Sequence, residues 1–408
     1  MADKRKIAFV CHPYHRGGVT RWMADASIIY SQQGHEIYFI TVAPVKEFFS
    51  AKGKETLLQL LQKEPNKVKV LSEPAGYEFE FGTPAYRALI YKRLIAKLPP
   101  GTPLILSDDH CVWEAATYMQ GAYPIVGVMH ADENFYYALA AKYHSRINVM
   151  ACVSERVKET TLKSSPAFPQ ALVFTIPCGI HLQAVSQAEK GTETLQLVFA
   201  GRISAYQKRA ADLVKIAVAL TQKSVRFHLN IIGDGDLKPI LEAQIKDAGL
   251  QQHVSFTGWL SQKDVSGYLS GADILLLTSD FEGTPIAMME AFAAGCGMVG
   301  TRVSGIEDYE HHALAADCLG VYPVGDIEEA VNKITQLAAV PGDVRRKAAR
   351  ELAELEFSME VCLNKYNMAM DAITHKVQAA PLISMPYKQL AYSKALAIAR
   401  YLKVKMMH

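Results

Sequence analysis

At 408 residues, 50% of them hydrophobic, the chain has the length and apolar content for two domains with sizeable cores. Charged residues make up 21% and the formal net charge is only +2, which excludes a chain-wide field for nucleic acid; any polyanion site has to be local. The seven cysteines form no CxxC pair, and there is neither a secretion signal nor an apolar run of about eighteen residues, so the expectation is a cytoplasmic protein with reduced, buried thiols.

Short apolar runs alternate with helical patterns, which predicts α/β architecture with parallel sheets covered on both faces. The first series of predicted strands is KIAFVC, EIYFITV, KVKVL, PLILSD, PIVGVMH, NVMACVS and ALVFTIP. A second series follows, LQLVFAG, RFHLNIIG, HVSFTG, ADILLLTS, GMVGT and LGVYPV. Two series imply two Rossmann-like, doubly wound domains, 1–182 and 195–370, joined across the polar stretch from Ile180 to Thr194. From Val344 onward the chain reads as helices, broken near Pro381 and Pro386.

In open parallel sheets ligands bind outside the carboxyl ends of strands, so the residues after each strand carry the chemistry. Gly17 and Gly18 follow the first strand and precede a helix, a loop that lets backbone N–H groups approach an anion, or simply a tight turn. Arg202 and Lys208 follow the first strand of the second series; a guanidinium fork and a compact ammonium together suit a diphosphate, the alternative being a solvated loop. After ADILLLTS comes Glu282-Gly283-Thr284-Pro285, a strand-to-helix turn in which Thr284 is expected as N-cap and Pro285 as the first helical residue. Glu290 then falls on an oily helix among Ile286, Met288, Met289, Ala291 and Phe292. A buried carboxylate is costly without hydrogen bonds, and a sugar diol would satisfy it; an internal ion pair would account for one of the two glutamates.

With these residues in place the chain resembles the retaining glycosyltransferases of family GT4. The resemblance rests on Glu282-x7-Glu290-Ala-Phe-Ala-Ala-Gly, on AGRISAYQKR, MHADE, ACVSERVKE, IPCGI and VSGIED, and on their order from end to end. It implies the GT-B fold, two Rossmann-like domains facing a central cleft, with C-terminal helices from about 375 to 408 crossing back to the first. It also implies roles. Arg202 and Lys208 would neutralise the donor diphosphate, with Gly18 approaching from the first domain. Glu290 would hold the ribose, and Glu282 with the N–H groups of Gly283 and Thr284 the transferred sugar. The base would lie against Trp259 and Leu260, and His130, at the end of PIVGVMH, would face the donor sugar. Arg209 stands where the family usually has glycine, Gly295-Cys296-Gly297 replaces the usual small residue and proline, and Ser304-Gly305 stands in place of a Gly-Gly pair.

The implied reaction is transfer of a hexose-type sugar with retention from a nucleotide sugar, a UDP-sugar first and GDP-mannose next, to a saccharide or glycolipid acceptor. No cofactor and no metal are expected: SDDH at Ser107 and GDGD at Gly233 lack partners at ligand spacing. The helix from Tyr86 to Pro100 and the C-terminal segment from Tyr387 both mix basic and apolar residues, so each reads either as contact with an anionic membrane or as ordinary packing. Rival readings are a GT-B epimerase or phosphorylase and a nucleotide-sugar-binding scaffold. A nicotinamide dehydrogenase is disfavoured because no GxGxxG follows a strand.

Overall fold

A computed structural model of the chain describes residues 4–11, 18–43, 61, 68–74, 79, 81–107, 109–116, 122–182, 194–373 and 387–407. Gly17, most of the expected linker, and Pro381 and Pro386 lie outside the described residues. The chain forms two compact units, one of Met1–Val153, Lys158–Ile176 and Leu363–His408, the other of Ser154–Val157 and Pro177–Cys362.

In the first unit β1 (Lys6–Val10), β2 (Glu36–Ala43), β3 (Val68–Pro74), β4 (Leu104–Leu106), β5 (Ile125–Met129), β6 (Val149–Cys152) and β7 (Val173–Thr175) form a parallel sheet in the order β3-β2-β1-β4-β5-β6-β7. Every residue of β4, β5 and β6 is buried, which is why these strands read as unbroken apolar runs rather than as alternating ones.

The second unit repeats the plan. β8 (Leu195–Ala200), β9 (Phe227–Ile232), β10 (Val254–Gly258), β11 (Ile274–Leu277), β12 (Gly297–Thr301) and β13 (Leu319–Tyr322) are parallel in the order β10-β9-β8-β11-β12-β13. Each predicted strand run coincides with one of these elements. Leu197, Phe199, Ile231, Leu276 and Val299 build the core of the sheet with Leu213, Ile216 and Leu220 of the helix Ala211–Gln222 and Val331 and Ile334 of the helix Ile327–Ala339. Strand order reverses direction between β1 and β4 in one sheet and between β8 and β11 in the other, so a ligand crevice is expected beyond the carboxyl ends of each pair.

The unit boundaries differ from the sequence-based division at 182, 195 and 375. Residues 177–182 join the second unit: Ile180 bridges Ser358, and a Cβ on Gly179 would meet Cys362 Cβ at 2.7 Å. The chain returns to the first unit at Leu363, inside the helix Met359–Asp371. Tyr30 Oη donates to Leu363 O at 3.0 Å, Tyr366 lies 5.5 Å from Trp22 by ring centroid, and Arg5 pairs with Asp371 at 2.7 Å. Such long-range packing leaves no mark in a linear pattern. Ser154–Val157 belong to the second unit because Ser154 Oγ lies 2.6 Å from Ser304 Oγ, Glu155 N–H donates to Asp308 at 2.8 Å and Arg156 pairs with Glu307.

Candidate functional site

The site of the second unit is built on three strand ends joined through glycine backbone. Gly201 N–H donates to Ile232 O at 3.0 Å and Gly233 N–H to Gly258 O at 2.9 Å. Gly233 has φ +137, and a Cβ there would fall 1.8 Å from Gly201 O; at Gly235 it would fall 2.2 Å from Ile203 O. Only glycine fits, so the GDGD run serves close packing. Among the described residues no group of three or more His, Cys, Asp or Glu is placed to hold a metal ion.

From this floor the chain after β8 turns through two non-glycine residues with left-handed backbone, Gln207 at φ 67 and Arg209 at φ 43. Such a conformation costs an L-residue roughly 1–2 kcal/mol. Three hydrogen bonds hold the turn: Ser204 Oγ donates to Tyr206 O at 2.7 Å, Thr278 Oγ1 to Lys208 O at 2.7 Å and Asp280 N–H to Gln207 O at 2.7 Å. Arg209, where the family favours glycine, bonds Asp212 at 2.8 Å and Asp280 at 3.1 Å, contacts that offset its strain.

Lys208, flanked by the two strained residues, reaches the end of β11. Its Nζ lies 2.6 Å from Glu282 Oε1. Ser279 Oγ donates to the same oxygen at 2.6 Å, and Gln207 Nε2 lies 3.3 Å from Oε2. Glu282 is only 5% exposed, so three donors compensate a carboxylate withdrawn from water. Gly305, at φ +75, presses on the next turn: a Cβ there would lie 1.8 Å from Gly283 O. That close approach explains the glycine in the Ser304-Gly305 pair.

Two local expectations are corrected. Thr284 is not the N-cap; the helix is Ile286–Ala293 with Pro285 capping it in extended backbone at ψ 121, and Met288 and Met289 N–H both point to Pro285 O. Proline's fixed ring and extended ψ set the start one residue later. Glu290 is half-buried rather than engulfed: Met288, Met289, Ala291 and Phe292 take the core face, while Glu290 Oε1 faces the helix Gln262–Gly271 and lies 3.4 Å from Gln262 Nε2.

The structure brings Lys208, Glu282, Gly283, Thr284 and Pro285 together at the switch point. Arg202 is exposed, Trp259 is 51% exposed just beyond β10, and Leu260 is partly buried. Sequence reasoning missed Ser279 and Gln207. A serine three residues before Glu282 is a weak signal, and glutamine is not a residue type that announces a left-handed turn.

In the first unit the helix Gly18–Gln32 begins at Gly18, and His130 directly follows β5. His130 is buried, and its ring meets Trp22 of that helix edge-on at 5.4 Å. All seven cysteines are buried; burial pushes the Cys111 and Cys318 thiols up to about 12, which keeps those two protonated and unreactive.

Two doubly wound parallel-sheet units, the second with a buried lysine–glutamate pair at its switch point, define a GT-B protein. Residues 194–339, most of the second unit, match the family "Glycosyl transferases group 1". It is similar to the amylovoran biosynthesis glycosyltransferase AmsK of Erwinia amylovora, 25% identical over 241 residues, which cover 57% of this chain and 55% of that protein. The chain spans about half the length of the curated relatives it matches. Among solved structures it resembles a glycosyltransferase from Rickettsia africae, with a TM-score of 0.71 at 17% identity over 91% of this chain and 100% of that one. It also resembles Anabaena HepE in complex with UDP and glucose, with a TM-score of 0.68 at 15% identity over 90% and 100% of the respective chains. At these identities the structural likeness establishes the fold.

Proposed function

We propose that the chain transfers a hexose-type sugar from a nucleotide sugar, a UDP-sugar in the first instance, to a saccharide or lipid-linked saccharide with retention of anomeric configuration, in the building of a surface polysaccharide or glycolipid. The observation that carries this reading is the Lys208–Glu282–Ser279 cluster, placed at the β8/β11 switch point beside the N-terminus of the helix Ile286–Ala293. Cation, carboxylate and the positive end of the helix there match the needs of a sugar diphosphate, which has anionic oxygens on one side and hydroxyl donors on the other. The UDP complex of a protein of the same fold supports the choice of nucleotide.

In this reading the acceptor oxygen bonds to the anomeric carbon as the bond from that carbon to the diphosphate oxygen breaks. The acceptor proton passes to a phosphate oxygen on the same face. Lys208, supplemented by exposed Arg202, stabilises the negative charge gathering on the departing diphosphate. Glu282 accepts from sugar hydroxyls, and Glu290 from the ribose. His130, with Gly17 and Gly18 on the first unit, keeps the donor role the resemblance implies. The cations take the charge-neutralising part a metal plays elsewhere, so turnover is expected to persist in EDTA.

The test is a thermal-shift panel of UDP, GDP, ADP and their sugar conjugates, followed by turnover of the conjugate that binds. A ligand at about 100 times its Kd stabilises the folded state by about 2.7 kcal/mol, which raises the melting temperature by about 5–10 °C for a unit of this size. Lys208→Ala and Glu282→Ala are expected to lose about 10²–10³-fold in turnover. No shift with any nucleotide on folded protein would favour the scaffold, and turnover that requires free phosphate would reveal a phosphorylase.

A further inference from the structure

The helix Tyr387–Met407 carries Lys388, Lys394, Arg400, Lys403 and Lys405 and no Asp or Glu. One side of it is bonded into the first unit. Ser393 Oγ accepts the Thr83 N–H at 3.0 Å, Arg400 donates to Phe81 O at 3.2 Å, the Tyr401 and Phe81 rings are 6.1 Å apart, and Ala397 is fully buried. At 3.6 residues per turn this leaves Ala391, Ala395, Ile398, Leu402 and Met406 as a stripe on the other side. Ile398 is 43% exposed, Leu402 49% and Met406 81%, with Tyr392 at the edge of the stripe. Lys394 and Lys405 flank one border and Lys403 the other, all exposed.

The other basic helix is built differently. In Pro84–Ile95, Tyr86, Ile90, Tyr91, Leu94 and Ile95 are buried, and Arg93 pairs with Glu73 at 2.8 Å. Its apolar residues serve the core, and Arg93 is paired within the unit.

We propose that the outer face of the helix Tyr387–Met407 lies in the surface of an anionic bilayer, with Ile398, Leu402 and Met406 among the upper acyl chains and the lysines against lipid phosphates. Charge selects this occupant. A second copy of the same face would set cations against cations with no acid on the helix between them, and a neutral apolar partner would bring no charge opposite to that of the lysines. Among the described residues no helix is long and apolar enough to cross a membrane, so the helix lies in the plane. The surface belongs to the first unit alone and does not depend on the transferase reading.

Flotation of the full-length protein with vesicles of phosphatidylcholine, alone or mixed with phosphatidylglycerol, tests it without recourse to turnover. Binding is expected only to the anionic vesicles and is expected to weaken at high salt. At about 1 kcal/mol per lysine near such a surface, the Lys394→Gln/Lys403→Gln/Lys405→Gln variant should bind about 100-fold more weakly. Ile398→Ser/Leu402→Ser should also lose binding, while both variants keep the parent's melting temperature because the altered side chains are exposed. Equal binding to neutral vesicles, binding to neither, a dimer that Leu402→Ser dissociates, or a fall in melting temperature in these variants would each overturn the proposal.

Discussion

Replacing Lys208 with methionine isolates the energetics of the site. The side chains of Lys208 and Glu282 are 15% and 7% exposed and 2.6 Å apart, so the substitution leaves a carboxylate in a nearly dry pocket. Breaking one side of a buried pair costs about 3–5 kcal/mol. Ser279 and Gln207 still donate to Glu282, which puts the expected loss at the lower end, about 3 kcal/mol. For a unit of this size that corresponds to a fall of about 6–12 °C in melting temperature. Lys208→Met/Glu282→Gln removes both charges while keeping an acceptor for Ser279, and replacing both partners of a buried pair is close to neutral. The double variant should therefore melt about 2 kcal/mol nearer the parent than Lys208→Met does, a coupling read from a double-mutant cycle followed by circular dichroism. A single variant that melts within about 2 °C of the parent, or a double variant less stable than either single one, would refute the idea that desolvation of Glu282 governs the site.

Gly305→Ala and Gly101→Ala share φ +75, but a Cβ meets Gly283 O at 1.8 Å in the first and nothing within 4 Å in the second. Gly101→Ala should cost only the roughly 1–2 kcal/mol of the backbone conformation, while Gly305→Ala should cost clearly more and weaken nucleotide binding; equal melting temperatures would count against the close-approach argument. Asp273 holds Arg345, which is 4% exposed, at 2.7 Å and also accepts the Gln196 N–H at 2.9 Å. Asp273→Asn should destabilise the second unit by about 3–5 kcal/mol, measurable by urea unfolding, and a loss under about 1 kcal/mol would contradict the reading. His110 has its pKa lowered by burial first and then by Lys142 and Arg87, with Glu114 and Asp109 opposing. A lowered pKa means that the unfolded chain binds more protons below the ordinary value of 6.5, so stability falls as pH drops from 6.5 toward the folded-state value. His110→Gln should flatten the acid side of the melting-temperature profile of the first unit, and a profile superimposable on the parent's would exclude that cause.

How much of this was legible in the chain depends on the range of the forces involved. Parallel strands buried on both faces must be apolar throughout, so KIAFVC, PIVGVMH and ADILLLTS could be recognised from composition alone. Glu282 and Glu290 stand out because a carboxylate in an oily stretch needs a reason, and Arg202 and Lys208 because they follow a strand ahead of a helix. Sequence therefore determined the two-sheet architecture and the identity of the charged residues at the second switch point. It did not determine how those charges meet. Lys208 reaches Glu282 through a turn whose left-handed residues, Gln207 and Arg209, are of types that do not favour it, and the turn exists because Thr278 and Asp280, some seventy positions on, bond its backbone. In the same way Gly305 is compelled by Gly283, Ser154 joins Ser304, and a continuous helix changes unit at Leu363. Local propensity and apolar periodicity act over a few residues and are written along the chain; these contacts depend on which distant backbone lies alongside, and only the folded chain brings that backbone within reach.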